Sequence, residues 1–320
     1  MEVSSHALDQ ARTAGIEFDL AIFTNLSQDH LDYHQSLSAY FQAKSKLFSG
    51  LEPRGGKNRK KAAVINVDDA AGAKLTDYCR VPVITYGLGG LCHLRAEQIE
   101  LSPAGIRYRL LYGAETCDIS MILHGRFNVY NSLAAIAAAL VEGIDIELIA
   151  QALGKMEPVA GRFQQVTDPG NALPFQVFVD YSHTPDSLEK CISTARELCS
   201  GRIISVFGAG GHRDAAKRPV MGETAARLSD LAIVTSDNPR DEEPMHIIRD
   251  VLKGMGGPSA KAEVVTEPDR GKAIALAISR ALPGDMILIC GKGHEDYQII
   301  GTTKHPFDDY VEAQKYMKGL

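Results

Sequence analysis

The chain has 320 residues, 45% of them hydrophobic, which is enough for about two domains with hydrophobic cores of their own. The net charge of -6, with acidic and basic residues interspersed, excludes nucleic acid as the main partner, and no apolar stretch is long enough to make a membrane the partner. Six cysteines without CxxC spacing predict free thiols in a reducing cytoplasm rather than a disulfide framework.

The first half of the chain predicts helices and strands in an irregular order. From the N-terminus, the patterns predict a helix over residues 37–51, strands over 62–67 and 81–86, alternating strand segments within 98–123, and helices over 128–141 and 146–153. Residues 156–162 then combine Pro and Gly and separate this half from a more regular one. We place the boundary between a first domain, residues 1–157, and a second domain, residues 158–320, in this segment.

The second half alternates strands and helices with little interruption. The predicted strands are 175–179, 202–207, 231–235, 262–265 and 285–290, and the predicted helices are 186–198, 222–228, 245–255 and 270–281. A βαβ series of this kind forms a parallel, Rossmann-like sheet, so we expect an α/β fold. Ligands of such sheets bind at the carboxyl ends of the strands, where functional side chains are therefore expected.

The apolar face of the first predicted helix is interrupted by Lys44, which falls between Phe41 and Leu47. A lysine in such a position usually extends its ammonium group to water. The alternative is that burial lowers its pKa and leaves an amine that takes up carbon dioxide. That reaction would turn a cation into a metal-binding carbamate.

Two acids and two histidines lie close together after the apolar run 20–23, namely Asp29, His30, Asp32 and His34. Carboxylates and imidazoles at a strand end suit Mg²⁺ only if phosphate oxygens also hold the metal. Helix capping by Asp29 and Asp32 is the structural alternative, and it leaves both histidines unexplained.

Charged or glycine-rich segments follow four predicted strands of the second half. They are residues 180–185, 208–214, 237–240 and 291–296. In the third segment, Pro239 restricts the backbone and directs Arg240 away from the strand end, where its guanidinium could bind a carboxylate. An ordinary Asp-Asn-Pro loop with a solvated arginine is the other interpretation. Glycine turns alone are common for steric reasons, but Arg213, Arg240 and Glu295 together would suit a zwitterionic amino acid.

Two further sites have open interpretations. Asn128 and Asn131 share one face near the start of an alanine-rich helix, where either capping by Asn128 or recognition of a base or phosphate would explain them. Arg162, between the two domains, is either a salt-bridged surface residue or a phosphate ligand on a hinge.

Six segments together resemble the Mur ligases. They are residues 2–6 (EVSSH), 25–34 (NLSQDHLDYH), 43–44 (AK), 180–185 (DYSHTP), 237–240 (DNPR) and 291–295 (GKGHE). They occur in order from the start of the chain nearly to its end, so a joint chance occurrence is negligible. The resemblance implies a partial central ATPase domain that binds ATP and Mg²⁺ over residues 1–157. It implies a C-terminal Rossmann-like domain that binds an amino acid and ATP over residues 158–320.

The resemblance also implies an activity, because the segments match best the family members that add meso-2,6-diaminopimelate. In these ligases ATP phosphorylates the D-glutamate γ-carboxylate of UDP-MurNAc-L-Ala-D-Glu, and an amine of diaminopimelate attacks the acyl phosphate. The amide formed is part of a peptidoglycan precursor. ATP and Mg²⁺ are the implied cofactors, the two substrates are the implied partners, and we expect a monomer.

Family roles can be transferred to the matching positions of this chain. Lys44 resembles the carbamylated lysine of the family, and Glu2 and His30 resemble its companions at the Mg²⁺ site. The resemblance implies contacts with the nucleotide-linked peptide for Ser4, Gln10 and Arg12, and contacts with ATP for Asn128, Asn131, Arg162, Asp180 and His183. It implies contacts with diaminopimelate for Arg213, Asp237, Asn238, Pro239, Arg240, Gly291 and Glu295. Arg240 would bind the second carboxylate, since family members that add lysine lack an arginine there.

The chain departs from the family pattern in several places. His212 and Ser182 stand where the family usually has Asp and Ala, beside the transferred positions. No GxxxxGK[ST] phosphate loop occurs in the 320 residues, and Met1 matches an internal methionine of the family, so we expect a fragment with little ligase activity of its own. A non-catalytic diaminopimelate-binding module is an alternative. A further alternative is another amide ligase of the superfamily, either one that adds L-lysine or a folylpolyglutamate synthetase. The Asp-Asn-Pro-Arg turn disfavours this alternative.

Overall fold

The computed structural model describes residues 1–26, 31–52, 60–102, 104–167 and 173–318. The chain divides into two compact units. Unit 1 consists of Met1–Ile122 and Arg126–Met156, and unit 2 consists of Leu123–Gly125 and Glu157–Leu320. The main division, between Met156 and Glu157, lies one residue before the boundary that the sequence predicts.

Unit 1 combines one sheet with helices. Its elements, in chain order, are α1 (Ser5–Asp9), β1 (Leu20–Phe23), α2 (Leu31–His34), α3 (Leu37–Ser49), β2 (Ala62–Asn66), α4 (Ala70–Leu75), a 3-10 turn (Thr76–Tyr78), β3 (Val83–Gly87), β4 (Leu94–Ser102), β5 (Gly105–Tyr112), β6 (Glu115–Met121), α5 (Arg126–Val141) and α6 (Ile146–Gly154). The six strands lie side by side in that order. β1 to β4 are parallel and β4 to β6 are antiparallel. Burial alternates along β5, which accounts for its alternating sequence.

Unit 2 contains the regular βαβ series. Its elements are β7 (Gln164–Gln165), β8 (Gln176–Asp180), α7 (Pro185–Leu198), β9 (Ile203–Phe207), α8 (Lys217–Leu228), β10 (Leu231–Val234), α9 (Pro244–Leu252), β11 (Glu263–Thr266), α10 (Arg270–Arg280), β12 (Met286–Cys290), β13 (Tyr297–Ile300), β14 (Thr303–Pro306) and α11 (Asp309–Met317). The six-stranded sheet has the order β11-β10-β9-β12-β8-β7 and is parallel except for β7. β13 and β14 form a separate antiparallel hairpin.

The central strands of unit 2 are buried on both faces. Every residue of β9, β10 and β12 is buried. One face of the sheet packs against α7, α8 and α9 in a core that includes Phe207 and Met221. The other face packs against α10 and α11 in a core that includes Ile233 and Ile274. Burial on both faces is the reason why these strands read as continuous apolar runs, and the structure confirms the predicted α/β class.

The predicted elements of both halves are present, with ends shifted by at most five residues. The largest shift is at α8, which begins at Lys217 rather than at residue 222, because Pro219 falls in its first turn, where proline is tolerated. α1, α4, β7, the β13–β14 hairpin and α11 are elements that the sequence analysis did not predict. They are short or largely polar, so their hydrophobic periodicity is weak.

The six cysteines are free thiols, as the sequence predicts. Two of them, Cys191 and Cys290, are buried with their Sγ atoms 3.8 Å apart. No helix in the described ranges is long and apolar enough to cross a membrane.

The carboxylate of Asp285 joins the amino-terminal ends of β9 and β12. It is buried and accepts hydrogen bonds from the backbone N–H of Arg202 (2.8 Å), from Nη2 of Arg202 (2.7 Å) and from the backbone N–H of Leu282 (2.9 Å). Burial alone would raise the pKa of Asp285, but the hydrogen bonds from Arg202 and Leu282 more than offset it and hold the pKa below its ordinary value.

We expect Asp285 to make the folded state acid-sensitive. A carboxyl group with a depressed pKa in the folded state stabilises the protein above its unfolded pKa of about 3.9, and that contribution is lost as the pH falls through the folded-state value. Asp285→Asn should lower the free energy of unfolding near neutral pH by about 2–3 kcal/mol, because a charged acceptor of several hydrogen bonds is lost. It should also flatten the pH dependence below about pH 4. Urea unfolding across the acid range measures both effects, and an unchanged acid dependence would contradict this role.

Candidate functional site

A cleft of about 410 Å³ lies at the carboxyl ends of the strands of unit 2. It is lined by Tyr181, His183, Thr184, Gly208, Ala209, Gly210, Arg213, Asp214, Lys217, Asp237, Asn238, Arg240, Gly291 and Glu295. All positions that the resemblance implies for diaminopimelate lie in this lining except Pro239. The sheet order explains the assembly, because β12 lies next to β9, and β9 lies next to β10.

The side chain of Asn238 joins its own turn to the loop 291–296 and to β13. Its Nδ2 donates to Oε2 of Glu295 (2.8 Å), while its Oδ1 accepts from Nζ of Lys292 (3.3 Å) and from the backbone N–H of Ile299 (2.9 Å). Lys292 is fully buried and also donates to Oε2 of Glu295 at 3.2 Å. Because both donors meet the Oε2 atom, Oε1 is the oxygen of Glu295 that can accept from a ligand ammonium group.

Arg240 follows the sheet with an uncommon backbone conformation. Its φ is +53°, in the left-handed region that residues other than glycine rarely adopt. Its Nη1 donates to the carbonyl oxygen of Gly211 at 2.6 Å. Gly211 must be a glycine here, since an added Cβ would lie 2.0 Å from the carbonyl oxygen of Pro239. The guanidinium carries further N–H donors, which suit a carboxylate.

The cleft brings positive and negative side chains together. Its lining includes the cations Arg213, Lys217 and Arg240 and the carboxylates Asp214, Asp237 and Glu295. A ligand that carries both charge signs can pair with both sets, whereas a simple anion would face three carboxylates. The arrangement therefore fits an amino acid.

Lys217 is a cleft residue that the sequence analysis missed. It begins α8, and its Nζ donates to the carbonyl oxygen of His183 at 2.9 Å. Burial lowers the pKa of Lys217 below its ordinary value. Its position three residues after the charged glycine loop 208–214 is the sequence feature that could have indicated a cleft residue. The predicted helix begins only at residue 222, so Lys217 lies outside every predicted element.

A buried ion pair supports the cleft from within unit 2. Nε and Nη2 of Arg270 donate to the two carboxylate oxygens of Asp309, each at 2.7 Å, and neither side chain is exposed. Arg270 also donates to the carbonyl oxygens of Cys290 (3.0 Å) and Ser236 (3.4 Å). Both carbonyl groups directly precede cleft residues, so Arg270 joins the carboxyl ends of two strands.

Two of the positions implied for ATP in unit 2 meet at the ring of Tyr181. Cζ of Arg162 lies 5.0 Å from the centroid of this ring, and the centroid of the His183 ring lies 4.6 Å from it. Nδ1 of His183 is 2.8 Å from the carbonyl oxygen of Tyr181. Arg162 is exposed beside this aromatic face, which gives it a cation–π contact; no ion pair of Arg162 is present among the described residues.

Asp180, the third such position in unit 2, is engaged in hydrogen bonds within the unit. Its Oδ2 accepts from the backbone N–H of Phe163 (2.8 Å), and its Oδ1 accepts from the backbone N–H of Ser182 (2.9 Å). The Ser182 hydroxyl also donates to Oδ1, so the serine that departs from the family pattern adds a contact to Asp180. His212, the other departure, is outside the cleft lining and has Nε2 at 3.2 Å from Oδ2 of Asp241.

The remaining positions implied for ATP, Asn128 and Asn131, lie on α5 of unit 1. Nδ2 of Asn131 donates to Oδ1 of Asn128 at 3.0 Å. The helix begins at Arg126, two residues before Asn128, so capping by Asn128, considered from the sequence, is wrong.

A second cleft, of about 620 Å³, lies in unit 1 and is lined by Glu2, Ser4 and Lys44 among others. Lys44 is half-buried on α3, and its Nζ lies 5.2 Å from the centroid of the Tyr40 ring. Oγ of Ser4 accepts from the backbone N–H of Ala7 and caps α1. Three positions implied for the metal and the nucleotide-linked peptide therefore share one cleft.

Among the described residues, Gln10 and Arg12 are implied for the nucleotide-linked peptide but are not in this lining. Nε2 of Gln10 donates to the hydroxyl of Tyr33 at 3.3 Å, and Arg12 is exposed. His30 and Asp29 lie outside the described residues. His34 is buried, with Nε2 at 2.9 Å from Oγ of Ser5. Within the described ranges, no group of three or more His, Cys, Asp or Glu side chains could hold a metal ion.

Two family models match the chain, and together they span most of it. One is described as Mur ligase middle domain and matches residues 1–139. The other is described as Mur ligase, glutamate ligase domain, and matches residues 161–293.

Individual relatives are similar over nearly the whole chain. The UDP-N-acetylmuramoyl-L-alanyl-D-glutamate--2,6-diaminopimelate ligase of Geobacillus kaustophilus is 46% identical over 318 residues, which are 99% of this chain and 64% of the relative. A solved structure of a ligase with the same name has a TM-score of 0.68 at 34% identity and covers 99% of this chain and 64% of its own. The structure of MurF ligase from Thermotoga maritima in complex with ADP has a TM-score of 0.66 at 15% identity, over 99% of this chain and 66% of its own, and is alike in fold. The chain thus spans about 64% of the length of the curated relative.

Proposed function

This chain belongs to the Mur ligase family, and we propose that it takes part in the ATP-dependent addition of meso-2,6-diaminopimelate to UDP-MurNAc-L-Ala-D-Glu in peptidoglycan synthesis. One observation carries the proposal. Two arginines, Arg213 and Arg240, share a cleft with Glu295 and Asp237 at the carboxyl ends of a parallel sheet. Diaminopimelate has two carboxylates and two ammonium groups, so its charges complement that lining.

In the proposed reaction ATP phosphorylates the γ-carboxylate of the D-glutamate residue. An amine of diaminopimelate attacks the acyl phosphate carbon, and phosphate leaves from the tetrahedral intermediate. The cleft of unit 2 contributes binding and orientation, with Arg213 and Arg240 pairing with carboxylates and Oε1 of Glu295 accepting from an ammonium group. An amine held in one orientation reacts as if the step were intramolecular, which lowers the entropic part of the barrier.

Nucleotide contacts are part of the same proposal. In unit 2, the proximity of Arg162 and His183 at the ring of Tyr181 supports a role for both toward ATP. Asp180 would act by holding the backbone of Phe163, the residue after Arg162, through its 2.8 Å hydrogen bond. The contacts of Asn128 and Asn131 with ATP stay predictions. The contacts predicted with the nucleotide-linked peptide, those of Ser4, Gln10 and Arg12, also stay predictions.

Mg²⁺ is the implied metal, and the donors in unit 1 fit it in chemical type. Glu2 offers a carboxylate in the same cleft as Lys44, and a carbamate on Lys44 would add oxygen donors to it. His30 would be the third ligand. When bound, Mg²⁺ would offset the repulsion between phosphate and carboxylate oxygens.

Isothermal titration calorimetry of this chain with meso-diaminopimelate and with L-lysine tests the proposed cleft. We expect diaminopimelate to bind at least about tenfold more tightly, because lysine lacks the second carboxylate and leaves Arg240 without its partner. Equal affinities, or an absence of binding by both ligands, would overturn the assignment of the cleft.

Carbamylation of Lys44 has a direct spectroscopic test. With ¹³C-labelled bicarbonate, we expect a carbamate carbon signal in the NMR spectrum, because the half-buried amine lies against the ring of Tyr40 rather than in open solvent. Lys44→Met should abolish this signal. Lys46→Met is the matched control, since Lys46 lies on the same helix but is exposed and ion-paired with Asp9 at 2.6 Å. A signal that survives Lys44→Met would contradict the proposal.

A further inference from the structure

The β13–β14 hairpin holds both backbone polar groups of Arg240. The backbone N–H of Arg240 donates to the carbonyl oxygen of Ile299 at 3.1 Å, and the backbone N–H of Gly301 donates to the carbonyl oxygen of Arg240 at 2.7 Å. These bonds form an isolated parallel bridge between Arg240 and Ile300. The hairpin therefore pairs with the one residue that determines how the guanidinium enters the cleft.

The same hairpin also holds the two residues at the start of the turn. Nε2 of Gln298 donates to the carbonyl oxygen of Asp237 at 2.7 Å. The backbone N–H of Ile299 donates to Oδ1 of Asn238 at 2.9 Å. Four successive hairpin residues, from Gln298 to Gly301, thus pair with or contact the Asp237–Arg240 turn.

This pairing offsets the cost of the backbone conformation at Arg240. A φ of +53° is unfavourable for a residue with a side chain, because Cβ comes close to the following carbonyl oxygen. Such a conformation persists where the surrounding contacts over-determine it. The two hydrogen bonds from the hairpin to the Arg240 backbone are contacts of that kind.

The hairpin lies outside the two hydrophobic cores of unit 2. It is separate from the six-stranded sheet, and all four residues of β14 are exposed. Ile300, at its tip, is 49% exposed. Residues 297–299 of β13 are partly buried, but neither core of unit 2 described above includes a residue of the hairpin, so its contacts with the turn are made outside those cores.

We propose that the β13–β14 hairpin sets the ligand specificity of the cleft, with Gln298 as a positioning residue. Gln298 fixes the peptide group that precedes Asn238, and the hairpin backbone fixes the left-handed conformation of Arg240. Together they place the guanidinium where it can pair with the second carboxylate of the ligand. This inference rests on the proposed function, because it assumes that the cleft binds diaminopimelate.

Calorimetry on three variants of the full chain tests the role of Gln298. Gln298→Ala removes the hydrogen bond to Asp237, and we expect the preference for meso-diaminopimelate over L-lysine to fall about fivefold. Gln298→Glu has the same shape but places an acceptor against the Asp237 carbonyl oxygen, so the preference should fall about tenfold or more. Gln314→Ala is the matched control, because Nε2 of Gln314 also donates to a backbone carbonyl at 2.7 Å, that of Thr167, away from the cleft. It should leave the preference unchanged.

The outcomes separate this inference from the proposed function. If the unmodified chain has no preference for diaminopimelate, the proposed function fails. If the unmodified chain has the preference and both Gln298 variants keep it, the inference about the hairpin fails while the proposed function stands. A purely structural role of Gln298 would weaken the binding of both ligands equally, and that result would also overturn the inference. Thermal unfolding of each variant verifies that the folded fraction is equal.

Discussion

Replacing Arg270 by methionine is expected to lower the free energy of unfolding by about 3–5 kcal/mol. The substitution would leave the carboxylate of Asp309 fully buried without its cationic partner. Burial alone would lower the pKa of Arg270, but Asp309 more than offsets this and raises it above its ordinary value. The carbonyl groups of Ser236 and Cys290 would also lose a donor. Urea unfolding monitored by circular dichroism measures the loss.

Two further variants distinguish the effect of an uncompensated buried charge from that of lost packing. Arg280→Met is the matched control on the same helix, since its ion pair with Glu263 is exposed and should contribute less than about 1 kcal/mol. The double variant Arg270→Met with Asp309→Leu should recover most of the stability, because it removes both buried charges. A double variant as unstable as Arg270→Met alone would show that the pair acts through packing rather than charge.

Replacing Arg240 by glycine is expected to weaken the binding of meso-diaminopimelate by about 10–100-fold, which is the usual effect of removing a charged hydrogen-bond partner worth about 1.5–3 kcal/mol. The binding of L-lysine should change little, because lysine has no second carboxylate. Glycine is the informative substitution, since it adopts a φ of +53° without strain. The free energy of unfolding should therefore stay within about 1 kcal/mol of that of the unmodified chain.

Calorimetry with both ligands measures the effect of Arg240→Gly. Arg249→Ala serves as the control, because Arg249 is an exposed arginine of α9 that is not part of the cleft lining. Equal weakening of both ligands in Arg240→Gly would mean that the arginine supports the cleft in general and does not read the second carboxylate.

The local patterns of the sequence predict much of unit 2. Strands buried on both faces read as apolar runs, and the alternation of strands with helices requires a parallel sheet. The carboxyl ends of parallel strands meet at one edge, so the charged segments after β8, β9, β10 and β12 could be expected to converge there. Arg213, Arg240 and Glu295 are predicted as cleft residues by this rule alone.

Lys217 in the cleft, and the residues that support the cleft from behind, could not be predicted from local patterns. The sequence pattern indicates that Lys292 is a polar residue of a glycine loop. In the structure it is fully buried and donates to Asn238 and Glu295. The sequence pattern indicates that Arg270 is the first residue of an amphipathic helix. Its buried ion-pair partner, Asp309, lies far away along the chain, so no local pattern predicts the pair. Gln298 belongs to a hairpin whose periodicity is too weak to identify, and Lys217 lies in the first turn of α8, before the residues that predict this helix.

Local sequence patterns are sufficient to predict the fold class, the positions of most strands and helices, and the side chains that lie at the strand ends. The reason is that these depend on backbone preferences and on periodicity over a few residues. Two features follow from the three-dimensional arrangement alone. β12 enters the sheet between β9 and β8, which brings Glu295 to Asn238, and the β13–β14 hairpin holds the backbone of Arg240. Sheet order and hairpin docking depend on contacts between distant segments, and no local pattern encodes which segments will meet.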